Sequence, residues 1–231
     1  MLIGICGFQS SGKDTVADLL IREYGFKKLS FAGALKDVVS VIFGWSRTKL
    51  EGLTKEDRIW REQVDAWWAT ELNMPQLTPR YVLQYFGTEL FRNHWHPDIW
   101  VKIIENQLNT MKTENIVITD CRFENEFALL TKYGGKIIHV YRSLPSWFTS
   151  YKATASYNAT ASYNATASYK ATASYKATAS YNATKTTNDE LIGMHKSELE
   201  WIHCQFDYEV SNESTIEELY TKVRILILKN I

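Results

Sequence analysis

The run Gly7-Phe8-Gln9-Ser10-Ser11-Gly12-Lys13-Asp14-Thr15 constrains this chain more than any other stretch. It follows the apolar segment Met1-Leu2-Ile3-Gly4-Ile5-Cys6 and leads into the helix-patterned Val16-Ala17-Asp18-Leu19-Leu20. A strand, a glycine-bounded loop carrying a lysine, and a helix together form the layout of a phosphate cradle. Gly7 and Gly12 allow backbone turns that other residues resist, so consecutive N–H groups can point at phosphate oxygens. The helix that begins near Lys13 adds the positive end of its dipole, and the Lys13 ammonium can reach the outer phosphates. The spacing Gly-x4-Gly-Lys is that of a phosphate loop, with Asp14 where Ser or Thr usually holds magnesium and Thr15 one place late.

A second run, Thr119-Asp120-Cys121-Arg122-Phe123-Glu124-Asn125-Glu126, ends the β-branched stretch Asn115-Ile116-Val117-Ile118. A strand that delivers Asp120 at its carboxyl end supplies a carboxylate suited to magnesium, held directly or through water. Arg122 follows at once, within reach of a transferring phosphoryl group. A third, basic group comprises Lys36, Arg80 and Arg92. In Thr78-Pro79-Arg80 the threonine reads as a helix N-cap with proline at the first helical position. Arg80, Gln84 and Thr88 then share one helix face, offering a guanidinium fork to a phosphate and an amide to a base edge. His94-Trp95-His96 brings two histidines together without a nearby third ligand and reads as polar loop. The Trp-rich segment from Trp60 to Trp100 favours a base-stacking pocket.

Strands at Leu2 to Cys6, Asn115 to Asp120, Ile137 to Tyr141 and Phe206 to Val210 alternate with helical patterns. These cover Asp14 to Tyr24, Ala32 to Phe43, Lys55 to Leu72, Pro97 to Thr110, Phe123 to Tyr133 and Thr215 to Leu228. Buried apolar strands separated by helices predict an α/β fold, a parallel sheet of about five strands with helices on both faces. The 231 residues suit a single domain, residues 1–231. Lys plus Arg and Asp plus Glu number 26 each, so net charge gives no reason to expect nucleic acid or an anionic membrane as partner. Three widely spaced cysteines make neither a disulfide framework nor a zinc site and suit a reducing, cytoplasmic setting. No apolar run has the length of a transmembrane helix, and the first residues lack a signal-peptide pattern.

Residues 150–184 interrupt this pattern. Tyr151, Tyr157, Tyr163, Tyr169, Tyr175 and Tyr181 mark a strict six-residue repeat of Tyr-(Lys/Asn)-Ala-Thr-Ala-Ser. With no large aliphatic residue to bury, the segment reads as a low-complexity, disordered insertion.

The loop ending Gly-Lys-Asp-Thr, then Phe31-Ala32-Gly33-Ala34-Leu35-Lys36-Asp37, Thr78-Pro79-Arg80 with Gln84, and Gly87-Thr88-Glu89 resemble the deoxynucleoside monophosphate kinases of bacteriophages and large DNA viruses. Asp120 to Glu126 and His195-Lys196-Ser197-Glu198 extend the resemblance, which spans Met1 to about Arg142 and His195 to the C-terminus, nearly everything except the repeat. It implies a P-loop nucleoside-monophosphate-kinase-like fold and phosphoryl transfer from ATP, with Mg2+, to a deoxynucleoside monophosphate. It further implies that Gly7, Ser10, Ser11, Gly12, Lys13, Asp14 and Thr15 hold ATP. Asp14 and Asp120 serve the metal, and Lys13 and Arg122 stabilise developing charge. Lys36 and Arg80 hold the acceptor phosphate, with Gln84 and Glu198 as nucleoside contacts. Asp14 agrees with the family pattern. The repeat departs from it, falling where such kinases carry a mobile lid. Homodimerisation stays open. So do two other readings, a P-loop kinase for another small phosphorylated metabolite and a non-catalytic nucleotide-binding module.

Overall fold

The computed structural model describes residues 1–149, 152 and 194–230. The repeat of residues 150–184 therefore lies, but for residue 152, outside the described residues. Five strands form one parallel sheet: β1 (Leu2–Cys6), β2 (Lys27–Leu29), β3 (Ile116–Ile118), β4 (Lys136–Tyr141) and β5 (Tyr208–Ser211), in the order β2-β3-β1-β4-β5. Leu2 pairs with Ile116 on one side of β1, and Ile3 pairs with Lys136 on the other.

Side chains alternate across this sheet as the two-residue period of a strand requires. Ile3, Ile5, Val117, Ile138, Val140 and Val210 face one way, onto α1 (Lys13–Tyr24) and the C-terminal helix. Leu2, Cys6, Ile116, Ile118 and Ile137 face the other, onto α7 and α8, described below. The helix α1 buries Val16, Leu19 and Leu20 completely. At about 1.5–3 kcal/mol for each large side chain, burial of these three contributes roughly 5–9 kcal/mol as an upper estimate. Strands β1, β3 and β4 are buried along most of their length, while β2 at one edge has no buried residue, and the expectation of a parallel α/β sheet with helices on both faces holds.

Between β2 and β3 the chain builds a helical layer: α2 (Gly33–Phe43), α3 (Arg47–Glu51), α4 (Lys55–Glu62), α5 (Ala66–Glu71), α6 (Pro79–Gln84) and α7 (Ile99–Thr110). Its own apolar cluster contains Leu35, Val39, Phe43, Trp45, Leu50, Leu77, Val82 and Trp100. The helical spacing from Lys55 to Leu72 is broken into α4 and α5. Gln63 adopts an extended backbone, and Asp65 restarts the helix by accepting from the Trp68 N–H at 3.1 Å. The Asp65 carboxylate also accepts from Trp45 Nε1 at 2.7 Å, so a tertiary contact overrides local periodicity. Thr78 caps α6 as expected, accepting from the Tyr81 N–H at 3.1 Å, with Pro79 at the first position.

The helix does not end at Gln84. It widens into a π-helix over Tyr85–Trp95. Trp100 Nε1 donates to the Gly87 carbonyl at 2.9 Å, drawing that oxygen out of the regular pattern. Such widened turns recur where a helix must re-aim side chains. Past β3 come α8 (Glu124–Lys132), two short 3₁₀ turns (Lys196–Glu198 and Glu200–His203), and α9 (Ile216–Asn230). Among the described residues no helix is long and apolar enough to cross a membrane.

Candidate active site

Strand order reverses direction about β1, since the chain goes first to one side through β3 and β2 and later to the other through β4 and β5. Ligands of open parallel sheets bind outside the carboxyl ends of the strands at such a switch point. The glycine-bounded loop leaves β1 there. Gly7 (φ 137°) and Gly12 (φ 106°) both occupy backbone regions that favour glycine. A Cβ on Gly7 would lie 2.1 Å from the Val140 carbonyl oxygen, and one on Gly12 would lie 2.4 Å from Asn212 Nδ2. Asn212 is buried just past β5 and donates to the Ser11 carbonyl at 2.8 Å, bracing the loop from the far edge of the sheet. The Ser11 hydroxyl is buried beneath the loop without a partner. Lys13 Nζ folds back onto the loop, donating to the carbonyls of Gly7 (2.8 Å) and Phe8 (2.5 Å). Burial, and then the Arg122 charge, lower the Lys13 ammonium to about 8.

The loop opens on a cleft of about 260 Å³ between the sheet and the helical layer. Ser10, Lys13, Asp14, Lys36, Arg80, Gln84, Asp120, Arg122 and Glu198 all line it, drawn from five separate stretches of sequence. Gly7, Ser11, Gly12 and Thr15 do not. The first three shape the loop from behind, and Thr15 is the third residue of α1.

The carboxylates and cations of the wall are engaged with one another. Asp120 accepts from Ser30 Oγ (2.7 Å) and from the backbone N–H groups of Phe31 (3.1 Å) and Ala32 (2.9 Å). That carboxylate ties the end of β3 to the turn that starts α2, which carries Lys36. An ionised carboxylate has about four acceptor positions, so roughly one remains free. Asp14 pairs with Lys28 at 2.8 Å. Lys36 pairs with Glu51 at 2.9 Å. Glu198 sits between two arginines, 2.7 Å from Arg122 and 3.1 Å from Arg80. Burial raises the Glu198 carboxyl, but Arg122 and then Arg80 outweigh it and hold the group below the usual carboxylate range. Glu198 lines the cleft, as expected, and is the ionic partner of both Arg80 and Arg122.

Behind this wall lies a buried ion pair between Arg92 on the π-helix and Glu126 on α8. Arg92 also covers the Phe123 ring at 4.0 Å and donates to the Pro97 carbonyl at 3.2 Å. Glu126 reaches back to accept from the backbone N–H groups of Arg122 (2.7 Å) and Phe123 (3.1 Å), fixing the backbone at the end of β3. The expected tryptophan stack is not a pocket. Trp60 and Trp68 pack with Phe43 and Trp45 in the helical layer, Trp67 and Trp95 are exposed, and only Trp100 of that segment lines the cleft. His94 and His96 are used locally, His94 Nδ1 lying 2.5 Å from the Glu89 carbonyl oxygen and His96 Nδ1 accepting from the Asp98 N–H at 3.0 Å.

Sequence reasoning missed Ser30, Arg58, Arg61 and Asn212. Ser30 and Asn212 act through single side-chain bonds across the fold, which no local pattern announces. Arg58 and Arg61 stand three apart in the charged run Lys55–Glu62, which reads as a solvated surface.

The sequence profile of the deoxynucleotide monophosphate kinases matches residues 54–150, from α4 through β4. A protein of Acanthamoeba polyphaga mimivirus, provisionally named a deoxynucleotide monophosphate kinase, is 32% identical over 153 residues, which cover 62% of this chain and 74% of that protein. The deoxynucleoside-5'-monophosphate kinase of Escherichia phage T5 is 30% identical over 178 residues, covering 56% of this chain and 71% of the phage protein. With a phosphate loop at the switch point of a five-stranded parallel sheet and this likeness to both viral proteins, the chain belongs to the deoxynucleotide monophosphate kinase family.

Proposed function

We propose that this protein transfers the terminal phosphoryl group of ATP to the phosphate of a deoxynucleoside monophosphate, giving the diphosphate and ADP. The observation that carries the reading is one cleft that joins the Lys13 loop to a second, arginine-rich wall made by Arg80 and Arg122. Such chemistry is mostly positioning and neutralisation of charge. The loop from Gly7 to Thr15 cradles the ATP phosphates with its N–H groups. Lys13 leaves the Gly7 and Phe8 carbonyls and turns to the phosphoryl group in flight. An acceptor phosphate oxygen attacks the terminal phosphorus, and the bond to the bridging oxygen of ADP breaks. Arg122 meets the negative charge that spreads over the transferring group. A general base is not needed, because the acceptor phosphate is already anionic at neutral pH. Lys36 and Arg80 face the acceptor, and Gln84 lies on the same helix face, towards the nucleoside.

The donor set also fits magnesium. Asp14 and Asp120 contribute hard carboxylate oxygens to the cleft, and among the described residues no thiolate or imidazole lines it. These two would hold Mg2+ arriving with ATP, which when bound neutralises charge on the nucleotide phosphates. Asp120 retains its bonds to Ser30 and the α2 turn while doing so.

The test is consumption of ATP by purified protein against a panel of deoxynucleoside and ribonucleoside monophosphates, with and without Mg2+. Turnover with at least one deoxynucleoside monophosphate is expected. ATP binding without turnover on any monophosphate would instead leave a nucleotide-binding module, and turnover only on another phosphorylated metabolite would change the acceptor.

A further inference from the structure

Two arginines of the cleft, Arg58 and Arg61, are answered by no carboxylate among the described residues; Arg58 instead donates to the Gly52 and Leu53 carbonyls at 3.0 and 3.1 Å. Lys36 is matched by Glu51, Arg92 by Glu126, Arg122 by Glu198, and Arg80 by Glu198 and, at 3.3 Å, by Glu62. Arg61, on α4, belongs to no ion pair among the described residues. Its one hydrogen bond runs from Nη1 to the Leu50 carbonyl at 3.5 Å, and its Nε is buried without a partner. The side chain nonetheless lines the cleft, on a helix packed against the one that carries Arg80. Its position is fixed from below. A Cβ on Gly52 would lie 2.4 Å from Arg61 Cζ, so the guanidinium rests directly on a backbone that only glycine leaves clear. Burial, and then the charge of Arg80, lower the pKa of Arg61, the mark of a cation desolvated beside a like charge. Arg61 is half-buried, and a partly desolvated, unpaired charge held next to another of the same sign is stabilised when an anion joins them.

We infer that Arg61, together with Arg80, binds the phosphate of the monophosphate acceptor. The inference rests on the kinase reading above and deepens it by naming the residue that grips the acceptor's charged end. A phosphate monoester is a dianion with several oxygens, and two planar guanidiniums match it by paired N–H bonds. Lys36, expected to share this task, lines the same cleft, paired with Glu51.

Steady-state kinetics of the parent, Arg61→Gln and Arg61→Lys, with ATP and each deoxynucleoside monophosphate varied in turn, test this. Arg61→Gln is expected to raise the KM for the monophosphate by about 10- to 150-fold, the loss of a hydrogen bond to a charged group, with the KM for ATP within about twofold of the parent. Arg61→Lys is expected to recover part of the loss, since an ammonium restores charge but not the fork. The rise in melting temperature that saturating monophosphate gives the parent is expected to shrink in Arg61→Gln, a readout independent of turnover. An unchanged monophosphate KM, or an equal rise for ATP, overturns the inference. A parent inactive on every monophosphate sinks the kinase reading and this inference with it. An active parent beside an unaffected Arg61→Gln sinks the inference alone.

Discussion

Replacing Arg92 with Met tests whether the ion pair behind the cleft holds the site together. Arg92 is 7% exposed and Glu126 only 2%, so the pair is out of water. Removing the guanidinium leaves the Glu126 carboxylate with two backbone N–H donors and no opposite charge. Breaking a buried pair from one side costs about 3–5 kcal/mol, because the remaining charge is stranded. For a chain of this size each kcal/mol moves the melting temperature by about 2–4 °C, so Arg92→Met should melt roughly 6–20 °C below the parent. The deficit also depends on pH. Burial pushes the Glu126 carboxyl up to about 7 even with Arg92 present, and losing Arg92 pushes it higher. A carboxyl raised in the folded state takes up a proton on folding, so stability falls as pH rises through that window. Arg92→Met should therefore lie nearest the parent at pH 5 and furthest at pH 8. The double variant Arg92→Met/Glu126→Gln removes the stranded charge and should regain part of the loss. Calorimetry of the three proteins at both pH values decides. A single variant within about 2 °C of the parent at pH 8, less than 1 kcal/mol on the same scale, refutes the reasoning.

Other perturbations follow from the same geometry. Lys13→Met should fold normally and lose about 100- to 1,000-fold in kcat, the usual effect of deleting one preorganised charge; a folded variant with near-parent turnover removes Lys13 from the chemistry. In the parent, kcat/KM for ATP should fall as pH rises through about 8, where the Lys13 ammonium of the free enzyme loses its proton, and a profile flat from pH 7 to 10 contradicts this. Ser30→Ala removes a 2.7 Å bond to the Asp120 carboxylate, so it should cost about 1.5–3 kcal/mol in urea unfolding. Gly7→Ala places a methyl group against the Val140 carbonyl at a strained φ and should destabilise the fold by at least about 1–3 kcal/mol, which thermal unfolding measures.

The parts of this protein that sequence conveys are those where one local signal suffices. The phosphate loop needs Gly7, Gly12 and Lys13 within a few residues, and the strands announce themselves as apolar, β-branched runs. The Thr78-Pro79 start of α6 is equally local. Where an element depends on a distant partner, the sequence is silent. The break at Gln63 needs Trp45 to reach Asp65, and the π-helix needs Trp100 to bind the Gly87 carbonyl. The tryptophans misled for a related reason, since an aromatic run marks burial without saying whether a core or a ligand does the burying. Strand β2 escaped notice because Lys27 and Lys28 supply most of its three residues at a sheet edge. In the cleft, Arg80 and Arg122 stood out through their motifs. Arg61 lay in a run of charges, and only the fold separates the side chain that faces the cleft from those that face water.

Both neighbours of the strand that carries the phosphate loop lie far downstream of it in the chain. Leu2 must wait for Ile116, and Ile3 for Lys136, before either edge of β1 has a neighbour. At about 5–20 residues per second that delay is on the order of ten seconds, during which an apolar strand with two open edges is exposed to other chains. Placing the nucleotide site at the centre of the sheet thus makes its assembly a late event in biosynthesis. Newly made molecules stalled before β4 would be prone to aggregate and unable to grip a nucleotide.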